Sequence, residues 1–227
     1  MFLRLIKIFA LAATVLAAPP TLAKDQKPSI LAIGDSMLAA HRISGRAVSH
    51  SVERSTGLNV KDNSVLGARI IYNLPISGSL GLNIGKQFRK GNWDWVIMNG
   101  GGNDLWLGCG CSRCDRKLNK LVSKDGSGKG AIPKLIKKIR ATGAKVIYVG
   151  YLRSPGAGSP IEHCRDEGDE LEKRVKAYAD TDAGVFHVSI RDLVPSGDRS
   201  FHGADMIHPS IKGSREIGKR VAKVINK

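Results

Sequence analysis

The chain has 227 residues with 36 Lys and Arg against 20 Asp and Glu, a net charge of +16. That length suits one globular unit better than two, can bury a full core, and shows no repeat or low-complexity tract that would mark a fibrous or disordered chain. The basic balance points toward anionic surfaces, lipids or glycans, although for any one cluster a solvated basic face is the ordinary outcome.

In chain order, the first element is not part of the fold. Residues 1–23, "MFLRLIKIFALAATVLAAPPTLA", combine Arg4 and Lys7, an apolar run from Ile8 to Ala18 and small residues at Thr21-Leu22-Ala23. This is the pattern of a secretory signal with an A-x-A-like cleavage site. The apolar run is shorter than a membrane span, and Pro19 and Pro20 break it. The expected product is one domain over 24–227, soluble and periplasmic or secreted. Cleavage at that point removes Arg4 and Lys7, two charges of the +16.

Short apolar runs then alternate with amphipathic stretches. "SILAIG" (29–34), "WVIMNG" (95–100), "KVIYVG" (145–150) and "VFHVSI" (185–190) read as buried strands, and "LNVKDNSV" (58–65) as a more polar one. Between them "SGRAVSHSVERSTG", "NIGKQFRKG", "AIPKLIKKIRATG" and "DELEKRVKAYAD" read as helices. In the third, Ile132, Leu135, Ile136 and Ile139 share one helix face, and Gly143 supplies the stop. A last helix follows Pro209, which suits a first-turn position, with Ile217, Val221, Val224 and Ile225 as its buried stripe. Strands alternating with helices predict a mostly parallel sheet covered on both faces, a three-layer α/β/α sandwich. Two connections, roughly 100–116 and 151–163, read as long Gly-, Cys- and Ser-rich loops of the functional or stapled kind.

Four cysteines occur, Cys109, Cys111, Cys114 and Cys164. An even count in an exported chain favours two disulfides, with three pairings open. If Cys164 pairs with any member of "CGCSRC", the other bond stays within that segment and the pair ties the 104–116 loop to the 151–163 connection. Short-spaced thiolates also suit zinc, but there is no second C-x-x-C. No metal and no cofactor is expected.

Chemistry concentrates at four strand ends. "AIGDSM" puts Ser36 after the first strand, "NSVLGA" puts Gly67 after the second, "NGGGNDL" puts Asn103 after the third, and Asp205-x-x-His208 follows the last. In parallel α/β sheets, sites form at the carboxyl ends of the strands. A serine hydroxyl needs a neutral imidazole to take its proton, and the imidazole needs an acceptor to fix its tautomer. Asp205 can reach back across one turn to serve His208 in that way. The remaining histidines, His41, His50, His163, His187 and His202, read as structural or surface residues.

These blocks resemble the SGNH (GDSL-type) hydrolases: Gly34-Asp35-Ser36, Gly67, Gly101-x-Asn103-Asp104 and Asp205-x-x-His208, in order over nearly the whole mature chain. The resemblance implies a flavodoxin-like sheet and a serine esterase. It makes Ser36 the nucleophile, His208 the base and Asp205 its orienter, with an oxyanion hole from the Ser36 and Gly67 amides and the Asn103 side chain. Met37-Leu38 after the serine departs from the family's frequent Leu-Ser, and the cysteine-rich insertion after Asp104 lies outside its general pattern. An α/β-hydrolase is disfavoured, since "GDSML" is not G-x-S-x-G.

The expected partner is a small-molecule, lipid or glycan ester, with no specific nucleic acid, peripheral contact with an anionic envelope surface, and a monomeric state. Trp106, Leu105 and Leu107 are candidates for an acyl or aromatic pocket. Lys212, Arg215, Lys219 and Arg220 follow the Asp–His block and either steer anionic substrates or, as the reading favours, merely solvate the outer helix face. The competing classes are a catalytically silent protein of the same fold that binds anionic glycan or lipid, and a zinc-stabilised binding module.

Overall fold

The computed structural model describes residues 29–156 and 158–227. The leader expected over 1–23 lies outside them. Five strands form one all-parallel sheet in the order β2-β1-β3-β4-β5: β1 Ile30–Ile33, β2 Val60–Asp62, β3 Trp95–Met98, β4 Lys145–Val149 and β5 Val185–Val188. The strands fall where the apolar runs predicted them. The strand order reverses direction between β1 and β3, the switch point where doubly wound sheets open a crevice at their carboxyl edge. Ile33 pairs with Met98, so the chain leaves β1 and β3 side by side.

Nine α-helices occur among the described residues. They are α1 Ser36–Ala39, α2 Val48–Thr56, α3 Pro75–Ser77, α4 Ile84–Gln87, α5 Gly102–Cys109, α6 Asp115–Leu121, α7 Ala131–Arg140, α8 Arg165–Ala179 and α9 Ile211–Ile225. None is long and apolar enough to cross a membrane.

Alternation along the strands makes the two cores. Leu31, Ile33, Val96, Met98, Val146 and Tyr148 face one way, onto Ile132, Leu135, Ile136 and Ile139 of α7 and Leu171, Val175 and Tyr178 of α8. Ile30, Ala32, Ile97, Ile147 and Val149 face the other way, onto Val48 and Val52 of α2 and Ile217 and Val221 of α9. Side chains of successive strand residues point to opposite faces, so each strand feeds both layers. Val224 and Ile225 of the expected stripe are only partly buried.

Two local expectations need correction. Pro209 is not in the first turn of α9. Ser210 is the cap, its hydroxyl accepting from the Gly213 amide, and Pro209 sits before it in a bridge with His202. The 100–116 stretch is also not one loop, because α5 runs through it and α6 begins at its end. Gly101, Gly102, Gly108 and Gly110 dilute the helical signal. The helix instead depends on tertiary anchors: buried Leu105, and buried Asp104, whose carboxylate accepts from the Ile70 and Ile71 amides at 2.9 and 2.8 Å.

Candidate active site

The turn that carries Ser36 is built from inside the sheet. Asp35 caps α1, its Oδ1 accepting from the Met37 amide at 2.9 Å, which leaves Ser36 as the first helical residue. The same carboxylate is buried and accepts from Asn99 Nδ2 at 2.7 Å and from the Tyr151 hydroxyl at 2.5 Å. Asn99 Oδ1 in return accepts from the Asp35 amide at 3.0 Å. Burial raises the Asp35 carboxyl above its ordinary value, against the pull of those donors and of His208. Only glycine fits at position 34, since a Cβ there would lie 1.8 Å from Asn99 Oδ1. Gln87 closes the turn from the other side, accepting from the Gly34 amide at 2.6 Å and donating to its carbonyl at 2.9 Å.

Asp205 and His208 form the local unit that their spacing predicted. Asp205 Oδ2 lies 2.6 Å from His208 Nδ1, while Oδ1 accepts from the Ile207 and His208 amides at 3.0 Å each. Met206 takes a left-handed φ of 56° to make the turn, and its carbonyl is held by the Ser159 hydroxyl at 2.8 Å. Burial alone would raise the Asp205 carboxyl, but the His208 ring and the two amides outweigh it and hold it down at about 2. The carboxylate is therefore charged at any working pH, so Nδ1 carries the ring proton and donates it. Nε2 is left as the acceptor, with no hydrogen bond among the described residues.

Ser36 and His208 line one cavity of about 100 Å³, together with Asn103. Asn103 sits in the first turn of α5, its Nδ2 donating to the Ala68 carbonyl at 3.1 Å. That bond holds the Gly67–Ala68 turn beside the Asn103 amide. Gly67 itself is exposed, adopts φ 73° and does not line the cavity. Asp104, next along the helix, is raised to about 6 by burial, against the opposing effect of the Ile71 and Ile70 amides.

One side of the cavity wall is apolar. Leu105 and Trp106 line it with Met37, Leu152, Leu171 and Ile207, whereas Leu107 is 52% exposed and takes no part. All four cysteines pair, Cys109 with Cys114 and Cys111 with Cys164. The second bond links the end of α5 to the start of α8 and forms part of the wall, since both its residues line the cavity. His163 lies close to those two sulfurs, but both are bonded to each other and offer no thiolate to a metal.

The four basic residues singled out after His208 are each paired: Lys212 with Asp198, Arg215 and Lys219 with Glu216, and Arg220 with Asp192. They solvate the outer face of α9. The sequence reading missed Asn99, Gln87 and Tyr151, which hold the serine turn. Asn99 ends a predicted strand and so had a positional signal; Gln87 and Tyr151 reach the turn across 53 and 116 residues and had none.

Residues 32–216 match the family described as GDSL-like lipase/acylhydrolase, a span from β1 through His208 into α9. Among solved structures the chain is similar to a carbohydrate acetylesterase family member from Sinorhizobium meliloti, with a TM-score of 0.61 at 10% identity over 88% of this chain and 98% of that one. It is also similar to a family two carbohydrate esterase from Clostridium thermocellum in complex with cellohexaose, with a TM-score of 0.57 at 20% identity over 93% of this chain and 66% of that one. A lipase from a goat rumen metagenome gives 0.55 at 15% identity, over 87% and 97% of the two chains. At these identities the likeness is one of fold. No curated protein matches the chain.

Proposed function

The chain belongs to the GDSL-like lipase/acylhydrolase family, and we propose that it is an exported, monomeric serine esterase that hydrolyses carboxylic esters, acyl or O-acetyl, through Ser36, His208 and Asp205. The observation that supports this best is the His208 ring, held at Nδ1 by an ionised Asp205, without a hydrogen bond at Nε2 among the described residues, and lining the same cavity as Ser36.

In this reading Ser36 Oγ attacks the ester carbonyl carbon as its proton passes to His208 Nε2. The carbonyl oxygen becomes an oxyanion, received by the Ser36 amide and Asn103 Nδ2; the Gly67 amide, outside the cavity lining, joins them only if its turn shifts toward the bound ester. Removing one such donor typically costs ~10²–10³ in turnover. The tetrahedral adduct collapses, the C–O bond to the alcohol breaks, and the imidazolium protonates the leaving oxygen. Water then attacks the acyl-serine, giving its proton to Nε2, and the second adduct releases the acid and restores Ser36. Asp205 stays ionised throughout and stabilises the imidazolium. The apolar wall takes the acyl part and excludes water from the charged intermediate.

Export rests on the leader at 1–23 and accords with two disulfides, which persist in oxidising compartments. A domain over 24–227 then does the chemistry. The carbohydrate-esterase names of two structural neighbours make acetylated polysaccharide the first polymer to test, beside p-nitrophenyl esters of increasing chain length. Ser36→Ala should abolish hydrolysis of every ester the wild type cleaves, and an organophosphonate should label wild-type Ser36 alone. Retention of most of the turnover by the alanine variant would rule out this mechanism.

One observation favours an added contact with an anionic envelope surface. Arg113, Arg116, Lys117 and Lys120 surround a hollow beside α5 and α6 with Asp115 as their only acidic neighbour in its lining, and none of them forms an ion pair among the described residues. Binding to anionic vesicles that disappears when these four are neutralised would support it; unchanged binding would remove it.

A further inference from the structure

The active-site cavity does not end at its apolar wall. Arg153, Ser154 and Arg165 line both that cavity and a second hollow of about 180 Å³ next to it. The second hollow is closed by Pro155, Gly156, Arg191, Val194 and Ser196, with the Gly197 amide donating to the Pro155 carbonyl at 2.8 Å to join the two loops that form it. Three arginines line this hollow against one carboxylate, Asp169.

The three differ in what they have left to offer. Arg153 is engaged at all three nitrogens, by Asp169 Oδ1 through two of them and by the Tyr151 carbonyl and Glu172 through the third. It contributes fixed positive charge and at most one spare N–H, on Nη2. Arg191 touches Asp169 Oδ2 through one nitrogen at 3.2 Å and is otherwise exposed. The side chain of Arg165, at the start of α8, has neither a hydrogen bond nor an ion pair among the described residues. Asp169 is thus neutralised from both sides, and two guanidinium groups still have donors facing the same hollow. On the cavity side stands Glu162, one oxygen of which is buried without a partner. Its negative charge disfavours an anion inside the cavity and leaves the hollow as the place for one.

We propose that this hollow is a substrate subsite for an anionic group, a carboxylate or phosphate, carried by the ester whose carbonyl lies between Ser36 and Asn103. Guanidinium forks suit both anions, because two parallel N–H donors match two oxygens. Arg165 sits where the two spaces join, so it meets the charge first. The substrate class is then an acylated acid with its charge free, such as an O-acylated uronate or an acylated phosphoglycerol unit, in preference to a neutral ester of the same size.

The proposal rests on the esterase reading for its kinetics but not for its binding, and the experiment separates the two. Two matched pairs are compared: p-nitrophenyl hemiglutarate with p-nitrophenyl valerate, which places the charge on the acyl side, and acetylated glycerol phosphate with acetylated glycerol, which places it on the alcohol side. The readout is the kcat/KM ratio of charged to neutral ester. The ratio should exceed one in at least one pair and fall about tenfold in Arg165→Gln and in Arg191→Gln, with Arg165→Lys between, and it should shrink with added salt. A ratio of one in both pairs, with neutral esters still cleaved, overturns the subsite and leaves the esterase intact. If no ester is cleaved at all, the esterase reading fails, and calorimetry with inorganic phosphate decides the subsite alone. Phosphate bound by the wild type and lost in Arg165→Gln supports it. No binding, or equal binding by both proteins, overturns it.

Discussion

The Tyr151 hydroxyl donates to Asp35 Oδ2 at 2.5 Å, joining the residues just past β4 to the turn that presents Ser36. The same oxygen accepts from the Gly102 amide at 3.0 Å, so one phenol braces the ends of three adjacent strands. The ring lies so close over Gly102 that a Cβ there would meet it at 2.8 Å. Tyr151→Phe keeps the ring and removes only the hydroxyl, leaving a buried carboxylate oxygen short of a donor. An unsatisfied buried polar group costs about 1–3 kcal/mol, more when charged, so denaturant unfolding should show a loss in that range. Against an Asp35→Asn background the same substitution should cost less, because the two groups are coupled. Equal costs in both backgrounds would show that the hydroxyl does not act through Asp35.

Asp205 is the residue whose loss should separate orientation from binding. Asp205→Asn can still accept from the Ile207 and His208 amides, so the turn survives. It cannot act as a charged acceptor for Nδ1–H, and the ring is free to take the wrong tautomer. A fall in kcat of ~10³–10⁴ with KM changed little is the expected result. A variant with kcat within tenfold of the wild type would point to another base or another orienter.

The sheet was legible because its strands are buried on both faces and so read as unbroken apolar runs. Ile30–Ile33 and Trp95–Met98 are examples. Asp205 and His208 were legible because three residues of separation make their contact local. What escaped was set by distant partners. Gly102–Cys109 has the composition of a loop and is helical because Leu105 packs in the core and Asp104 binds the Ile70 and Ile71 amides. Arg165 looked like any other basic residue. Only the folded chain shows that Lys212, Arg215, Lys219 and Arg220 are paired while Arg165 is not.

The two disulfides should differ in worth. Cys111–Cys164 closes a separation of 53 residues and Cys109–Cys114 one of 5. In the chain-entropy account, the longer loop contributes about 4 kcal/mol and the shorter about 2 kcal/mol. Replacing Cys111 and Cys164 with serine should therefore cost roughly twice as much stability as replacing Cys109 and Cys114. The first pair also lines the cavity, so its loss should raise KM for the preferred ester, while loss of the second pair should alter stability alone. Equal stability losses from the two double variants would show that native-state effects outweigh loop closure.

Asp104 gives the fold a pH signature of its own. Its carboxyl is raised by burial from 3.8 to about 6, so between those values the folded chain holds a proton that the unfolded chain has released. Stability rises with pH only where the unfolded state binds more protons, and here the folded state binds more. This residue's contribution therefore falls as pH climbs from 3.8 to about 6, and is level above that. The full swing is at most about 3 kcal/mol, from 1.36 kcal/mol per unit of pKa. Asp205, held at about 2, changes in the opposite sense and at lower pH, whereas buried Asp35, raised like Asp104, changes in the same sense. The clean measurement is the difference in unfolding free energy between the wild type and Asp104→Asn, followed from pH 4 to pH 7, in which the other groups cancel. Burial predicts that the wild type loses ground to the variant across that range. The opposite slope would mean that the Ile70 and Ile71 amides stabilise the charged carboxylate by more than its burial costs, and that Asp104 anchors α5 as an ion.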